Sequence, residues 1–394
     1  MRAHLPRRAT GLRLAALLLT IVAASACARE TTLDLGKPEK IADGVQLYRL
    51  NNPTLLDPPG LVAVQVLRVD PAKVDLRFML AQDKPVALET VGDMAGRTHA
   101  IAAINAGFFN VKNGDPVGVL RIDGELVSDM AMTRGAVGLI RGPDSPVKLV
   151  FDRVSASMSL EYQCNRETLT ADIDGVDTTR ARSKLMLYTP RYGPDSDTAD
   201  TGVEWQLAAQ GGVFRVSERR PNAGKTPIPK DGAVLSYGGT VLPAALEGLD
   251  ADQDVVLRIH FRTRLGTNEA QWQRANDIVS GAGLLVYAGQ PLQDWADEQL
   301  RAAFNTERHP RTMIGTSKGG IIWMVTVDGR QPELSQGMTF AELQTLAAGL
   351  KLEYALNLDG GGSTTMVANG TIVNHPSDKT GPRKVSDGIV VVKR

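Results

Sequence analysis

The sequence has few cysteines, few aromatic residues and no excess of charge of either sign. Its 394 residues include two cysteines, 5% aromatic residues, and 44 basic against 44 acidic side chains. The balanced charge excludes a nucleic-acid binder that acts through net charge, and the ordinary composition excludes a disordered tail protein. With 43% hydrophobic residues, the chain is expected to fold into one large or two average globular domains.

The N-terminal hydrophobic run is too short to remain in a membrane as a spanning helix. Residues 14–26 give about 13 uncharged residues, whereas a bilayer requires roughly 20. The run follows four arginines and ends in Ala24-Ser25-Ala26, which is the layout of a secretory signal. We therefore expect residues 1–26 to be removed. Four arginines and no acid leave with them, so the mature chain has a net charge of −4.

Cys27 stands where a bacterial lipoprotein carries its acylated cysteine. The alternative is ordinary cleavage, which would release a soluble periplasmic or secreted protein. Acylation of Cys27 leaves only Cys164, so no intramolecular disulfide can form, whereas plain cleavage leaves one conceivable pair. No zinc or iron–sulfur spacing is found. We predict an exported lipoprotein that contacts the membrane only through this lipid, with residues 27–44 as a tether.

Strands are predicted over much of the mature chain, because β-branched and alternating residues are separated by Gly and Pro. A helix is predicted at residues 340–350, where Thr339 and Glu342 have capping-box spacing, and a short one at residues 90–97. These elements predict an α+β fold with a mixed, largely antiparallel β-sheet core covered by a few helices. Residues 45–394 form one domain, and residues 141–202 are a candidate insertion or lid. The clearest predicted strands are residues 45–48, 61–69, 74–80, 100–104 and 354–358.

A glycine-rich loop follows the last of these strands. Three glycines stand between Asp359 and Ser363-Thr364, and they permit positive φ values and close approach of a ligand. Such a loop can form an anion-binding nest of backbone amides. The equally good alternative is a tight turn in which Asp359 bonds its own backbone. It is not a Walker loop, because no lysine follows the glycines.

Two further clusters are candidates for chemistry. Arg308-His309-Pro310-Arg311 combines guanidinium groups suited to phosphate with a histidine that can transfer a proton, although a solvated surface has the same composition. Asn105 ends an apolar strand before two phenylalanines and is placed to hold a sugar, but both aromatic residues fit a core equally well. Two other polar segments would be interpreted on their own as an ordinary turn or loop. They are residues 328–330, and residues 374–377 with Arg383.

Together these signals resemble the phosphodiester glycosidase family. The resemblance extends from about residue 45 to the C-terminus and covers residues 141–202 poorly. Its most specific motif is the Asn-Leu-Asp-Gly-Gly-Gly-Ser-Thr sequence at residues 357–364. The motifs that carry it are Ile104-Asn-Ala-Gly-Phe-Phe109, Ile228-Pro-x-x-Gly-x-Val-Leu-Ser236, Pro310-Arg-Thr-x-Ile-Gly315, Val327-Asp-Gly-Arg330, Gly337-Met-Thr-x-x-Glu-Leu343, Asn357-Leu-Asp-Gly-Gly-Gly-Ser-Thr-Thr-Met366, Asn374-x-Pro376 and Arg383.

The resemblance implies hydrolysis of a sugar-1-phosphodiester at the anomeric carbon, which releases a free sugar and a phosphomonoester. Most glycosidases need two carboxylates, because an alkoxide leaving group must be protonated. A phosphomonoester is already a good leaving group, so arginines and backbone amides can replace the catalytic acid. A single carboxylate at the sugar carbon is then sufficient.

Roles can be assigned within this scheme. Asp359 is the expected base or nucleophile, His309 a proton donor or hydrogen-bond partner, and Asp328 the competing catalytic carboxylate. Asn105, Asn357 and Arg330 would hold the sugar or orient Asp359. If Asp328 and Asp359 face each other across the site, a bound Ca²⁺ becomes credible. The residues expected to bind substrate or phosphate are Arg311, Arg330, Asn105, Asn357, Gly360, Gly361, Gly362, Ser363, Thr364 and Arg383.

Other functions remain open. The alternative is an exported protein that binds phosphodiester-linked glycans without cleaving them, although pure binding does not need a carboxylate beside an anionic ligand. A metal-dependent phosphodiesterase fits less well, because the chain has only five histidines and no dense set of metal ligands. The expected partners are a sugar phosphate or glycan substrate and no nucleic acid.

Overall fold

Strands are the main secondary structure of the protein, shown by a computed structural model that describes Met1 and residues 33–128, 132–143 and 145–394. Strands account for 43% of it and helices for 12%, and the sheet is nearly closed and barrel-like. The predicted α+β class was therefore wrong, because no set of helices covers the sheets. The predicted signal segment, residues 1–26, lies outside the described residues apart from Met1, and Cys27 lies outside them as well.

The first sheet has eight strands, and every neighbouring pair in it is antiparallel. Nearly every residue of its central strands is buried, as expected for a sheet that is covered on both faces. The edge strand at residues 39–42 falls within the predicted tether. In spatial order the strands are Glu39–Ala42, Val45–Leu50, Val64–Val69, Ile322–Val327, Arg311–Ser317, Leu352–Asn357, Leu284–Tyr287 and Gln290–Pro291.

The second sheet has twelve strands and contains one parallel pair, formed by Gly175–Val176 and Leu185–Tyr188. Its longest strand, Lys148–Cys164, has 17 residues and pairs with three neighbours. Much of the segment 141–202 thus forms strands of this sheet. The remaining strands are Leu120–Ile122, Glu125–Leu126, Arg134–Ile140, Glu167–Ile173, Val203–Gln210, Val213–Pro221, Gly232–Tyr237, Asp254–Thr263 and Asp277–Ser280.

The third sheet has five antiparallel strands, and a two-stranded ribbon accompanies it. The strand Val74–Leu80 has the predicted bounds, and the strand at residues 102–105 ends in Asn105. In spatial order the sheet contains Thr371–Ile372, Met366–Ala368, Ala102–Asn105, Asp387–Lys393 and Val74–Leu80, and the ribbon pairs Phe108–Phe109 with Pro116–Val117.

The sheets bury much of one another's apolar surface, and this is the physical reason that no full layer of helices is needed among the described residues. The helix Phe340–Gly349 packs on the first sheet, in one buried cluster with Val66 and Val325. One core cluster joins Leu67 of the first sheet, Phe151 of the second and Ile389 of the third, each almost fully buried. Aligned or crossed sheets can form a core without a helical layer. Thr339 and Glu342 make the predicted capping box. The α-helices are Val91–Arg97, Ala244–Glu247, Glu269–Arg274, Ala302–Thr306 and Phe340–Gly349, and the 3-10 helices are Pro53–Leu55, Ala81–Asp83, Ala296–Glu298 and Gly361–Ser363.

In the described part of the chain, no helix has the length and apolar character needed to cross a membrane.

Candidate active site

Strand register brings the predicted site residues to one end of the first sheet. Arg311 pairs with Val327, and Met313 pairs with Asn357. Because these neighbours are antiparallel, the segments before residue 311 and after residues 327 and 357 emerge together. They enclose a cavity of about 240 Å³. Its lining residues are Phe304, His309, Pro310, Arg311, Arg330, Asp359, Gly360, Gly361, Gly362 and Arg383.

The backbone of Asp359 is fixed by the loop that follows the strand ending at Asn105. The Asp359 N–H donates to the Ala106 carbonyl at 2.8 Å, and the Asn105 side-chain amide donates to the Asp359 carbonyl at 2.7 Å. Two loops that are about 250 residues apart in the chain are thereby joined. The carboxylate of Asp359 faces the cavity and accepts a hydrogen bond from the Gly360 N–H at 2.9 Å.

Burial raises the pKa of Asp359 from 3.8 to about 7. The Ser363 hydroxyl, the Gly360 amide and the positive charge of Arg383 oppose this increase in pKa, whereas the negative charge of Asp387 adds to it. Burial disfavours the charged form of a carboxyl group, which is the dominant cause here. The group can therefore change its protonation state near neutral pH, as general acid–base catalysis requires.

The glycine loop requires small residues for steric reasons. A Cβ on Gly360 would lie 2.6 Å from the Pro310 carbonyl oxygen, and Gly361 has a φ of +61°. At Gly362 a Cβ would collide with the ion pair of Arg383 and Asp378. The predicted anion nest is partly used within the protein. The Gly360 N–H donates to Asp359, and the Gly361 N–H donates to the Pro310 carbonyl at 2.9 Å.

Arg311 is almost fully buried in the cavity wall, with 1% of its surface exposed. Its guanidinium donates to the carbonyls of Met338 at 2.8 Å, Phe304 at 2.7 Å and Glu307 at 3.0 Å. The same group lies over the rings of Phe304 and Phe340, 5.1 and 4.9 Å from their centroids. Burial and the charge of Arg330 lower the pKa of Arg311, but from so high a value that it stays cationic at neutral pH.

The other two arginines at the cavity differ in how far they are neutralised. Arg383 forms a bidentate ion pair with Asp378, at 2.8 and 3.1 Å. Arg330 is exposed, packs against Gly361, and has no hydrogen bond or ion pair within the described ranges. Arg311 also lacks a carboxylate partner within salt-bridge distance there. The cavity therefore holds two uncompensated guanidinium groups, which suit an anionic ligand.

His309 lines the same cavity and is half-buried. Desolvation lowers its pKa, and the charges of Arg311 and Arg330 lower it further. Its Nε2 lies 3.7 Å from the Glu307 carboxylate. The imidazole is consequently neutral at neutral pH, so its cavity-side role is that of a hydrogen-bond partner rather than a cation.

Asp328 does not line the cavity. Its buried carboxylate accepts hydrogen bonds from the side chains of Gln65 and Asn374 and from the backbone of His375, and it lies 3.2 Å from His375 Nδ1. The arrangement in which it faces Asp359 across the site, on which a calcium site depended, is not observed. Within the described residues, no group of three His, Cys, Asp or Glu side chains is placed to hold a metal ion.

Four predicted ligands are buried around the loop and do not line the cavity. Asn105 accepts hydrogen bonds from the Thr312 hydroxyl and the Thr365 N–H, and so positions the loop of Asp359. Asn357 donates to the carbonyls of Ala282 and Leu358. Two of their oxygens have no hydrogen-bond partner among the described residues: Asn357 Oδ1 and Thr364 Oγ1.

Sequence reasoning missed three contributors to the site. Asp387 is buried, accepts a hydrogen bond from the Gly107 N–H at 2.5 Å, and raises the pKa of Asp359. A lone acid just before an apolar strand was the available signal for it. Asp378 neutralises Arg383, and it directly follows the polar segment already noted at residues 374–377. Phe304 comes from a five-residue helix that offers no sequence signal.

Comparison with known proteins confirms the family resemblance. Residues 204–392 match the family model described as phosphodiester glycosidase, and this range includes every residue that lines the cavity. Over those residues, the chain is therefore similar to the phosphodiester glycosidase family.

Individual relatives are similar over different lengths. Bovine (Bos taurus) N-acetylglucosamine-1-phosphodiester alpha-N-acetylglucosaminidase is 34% identical over 87 residues, which cover 21% of this chain and 16% of that enzyme. An uncharacterized protein of Rickettsia conorii is 23% identical over 277 residues, or 68% of this chain and 87% of that protein. The crystal structure of a hypothetical protein from Synechocystis has a TM-score of 0.73 at 22% identity, covering 91% of this chain and 64% of that one. The last likeness shows a shared fold.

Proposed function

We propose that this protein hydrolyses a sugar-1-phosphodiester at the anomeric carbon and releases a free sugar and a phosphomonoester. The observation that carries the proposal is the shared cavity, in which a carboxyl group with a pKa of about 7 stands with two uncompensated guanidinium groups. The family match and the name of the bovine relative support the same reaction class.

The leaving group determines which residues the reaction needs. The bond between the anomeric carbon and the phosphate oxygen breaks, and the electron pair leaves with the phosphate. Because the departing phosphomonoester carries negative charge, fixed cationic donors stabilise it without transferring a proton. Arg311 is held rigidly by three carbonyls and two rings, and Arg330 stands free beside Gly361. These two residues are the proposed phosphate ligands.

Asp359 then acts at the sugar carbon. In its ionised form it either accepts a proton from the attacking water or attacks the carbon itself, and the geometry is compatible with both. The hydrogen bonds from Asn105 to its carbonyl and from its N–H to Ala106 hold it in place. Rigid placement of the reacting group lowers the entropic part of the barrier.

We also propose that the protein is exported and anchored by a lipid on Cys27. The arginine-rich start, the short apolar run and the small residues before Cys27 support this proposal. A role in processing envelope or extracellular glycans would follow from that location.

The test is hydrolysis of the methyl phosphodiester of N-acetylglucosamine 1-phosphate in water enriched in ¹⁸O. We expect free sugar and methyl phosphate, with the label at the sugar C1 hydroxyl. Label in the phosphate would instead show cleavage of the P–O bond by a phosphodiesterase mechanism. Tight binding without products would support the non-catalytic alternative. Asp359→Asn is the inactive control, and Asp328→Asn is the matched carboxylate variant outside the cavity.

A further inference from the structure

A second and larger cleft lies beside the strands Leu185–Tyr188 and Gly232–Tyr237 of the second sheet. Its volume is about 480 Å³, which is within the range of small-molecule sites. It shares no residue with the cavity of Asp359, and the proposed reaction does not use it. Its lining residues are Thr179, Arg180, Ala181, Arg182, Tyr192, Asp197, Thr198, Ala199, Thr201, Gly238 and Thr240.

Next to this cleft is a fully buried carboxylate, Glu204, which contacts the lining residues Arg180 and Thr198. Hydroxyl groups of Ser196, Thr198 and Ser236 donate to it at 2.6–3.1 Å, and the Thr226 N–H donates at 3.1 Å. Burying a carboxylate without such partners would be strongly unfavourable. Ser236 is the last residue of the Ile228–Ser236 motif, for which the catalytic cavity provides no role.

Glu204 and its partners fix one cationic side chain in the wall. The Arg180 guanidinium has only 7% of its side chain exposed and lies 3.7 Å from Glu204. It donates to the Ser236 hydroxyl and the Ala199 carbonyl, each at 2.8 Å. Arg182, in contrast, is exposed and makes no hydrogen bond in the part of the chain that the structure describes. The cleft thus contains one guanidinium group that is held in place by hydrogen bonds and one that makes none.

The charges of the cleft balance. Glu204 lies 3.7 Å from Arg180, and the lining contains one further arginine, Arg182, and one aspartate, Asp197, so the formal charges cancel. The lining offers guanidinium donors, the Asp197 carboxylate as an acceptor and threonine hydroxyls. That supply of donors and acceptors matches a neutral ligand that carries several hydroxyl groups.

An aromatic side chain completes the lining. The ring of Tyr192 lies 4.7 Å from that of Tyr188, with the two planes inclined by 53°. The Tyr188 hydroxyl is buried and finds no partner among the residues described. An aromatic face beside convergent polar groups suits a sugar ring, which has an apolar C–H face and a polar edge. We propose that this cleft is a second saccharide-binding site, which binds a neutral sugar unit.

The experiment measures binding without turnover. Saturation-transfer NMR is recorded with the methyl α-glycosides of glucose, mannose and N-acetylglucosamine, which lack the phosphate of the proposed substrate. The proteins compared are wild type, Arg182→Ala, Asp197→Asn and Asp359→Asn. Arg262→Ala is the matched control, because Arg262 is exposed on the strand Asp254–Thr263 and its side chain makes no hydrogen bond or ion pair in the described ranges.

We expect at least one glycoside to bind wild type, Asp359→Asn and Arg262→Ala equally. Arg182→Ala and Asp197→Asn should each weaken that binding about tenfold, since each removes a charged hydrogen-bonding group. Binding that survives in both cleft variants would overturn the proposal, and so would the absence of binding to all three glycosides at about 20 mM. Displacement of the glycoside by inorganic phosphate with loss of the Arg182 effect would also overturn it, because it would identify an anion site.

Discussion

The pH dependence of turnover tests the role of Asp359 most directly. Its pKa is raised from 3.8 to about 7 by burial, and the ionised form is the one that acts as base or nucleophile. About 10% of the free enzyme is then ionised at pH 6 and about 1% at pH 5. We therefore expect kcat/KM to fall about tenfold for each pH unit below 7 and to level off above it.

The charges near Asp359 predict how the acidic limb of this pH profile shifts along the pH axis. The acidic limb is the part below pH 7 in which kcat/KM falls. Arg383 lowers its pKa and Asp387 raises it, while His309, Arg311 and Arg330 share the cavity. Asp387→Asn removes a negative charge, so the limb should shift to lower pH. His309→Gln should leave the limb in place, whatever it does to the maximum rate, because the pKa of His309 is lowered from 6.5 and its protonation lies at lower pH.

The assay is the initial rate of reducing-sugar release from the methyl phosphodiester between pH 5 and 9. A flat profile from pH 5 to 7 would refute the reasoning, as would an acidic limb that does not move in Asp387→Asn.

Thermal unfolding checks the same pKa without catalysis. A raised carboxyl pKa means that folding stability is present below about 3.8 and is lost as the pH rises towards 7. Asp359→Asn should therefore raise Tm relative to wild type more at pH 8 than at pH 4.

Three further predictions concern the arginine, the glycine loop and the export signal. Arg311→Lys keeps the charge but loses the planar fork, so kcat/KM should fall about 10²–10³-fold for the phosphodiester and less for a nitrophenyl glycoside with a neutral leaving group; equal losses would contradict a phosphate role. Gly360→Ala should abolish activity, because its Cβ would meet the Pro310 carbonyl at 2.6 Å, whereas Gly96→Ala in an open helical position should not. Cys27→Ser should abolish labelling by radioactive palmitate and release the protein from membranes, and unchanged labelling would exclude Cys27 as the anchor.

The sequence predicted local elements well, because their signals are local. The strand Val74–Leu80 follows from its apolar pattern, and the helix Phe340–Gly349 follows from the capping residues Thr339 and Glu342. The fold class failed for a non-local reason. Whether an apolar sheet face is covered by a helix or by another sheet depends on packing between strands far apart in the chain, such as those of Leu67, Phe151 and Ile389.

At the site, too, local features were predictable from the sequence and tertiary contacts were not. The residue types and motifs singled out Asp359, Arg311 and Arg330, and the structure has all three in the lining of one cavity. They could not distinguish Asp328 from Asp359, since both are aspartates followed by glycine at the end of an apolar strand. The two aspartates differ in their tertiary contacts. Asp328 is surrounded by donors from Gln65, Asn374 and His375 and does not line the cavity. Asp359 has the Gly360 amide and the Ser363 hydroxyl beside it and lines the cavity. Likewise, no pattern indicated that Asp387 acts on Asp359.

The raised pKa of Asp359 also answers an electrostatic problem of the proposed reaction. A permanently ionised carboxylate would repel the anionic diester, and the positive charge of Arg383 favours that ionised form. Burial outweighs this charge, so at neutral pH a large share of Asp359 is neutral when the substrate arrives. Loss of the proton then supplies the charge that the sugar carbon requires. Because its pKa is about 7, the same buried carboxyl group can be neutral while the diester binds and still ionise for the chemical step at neutral pH.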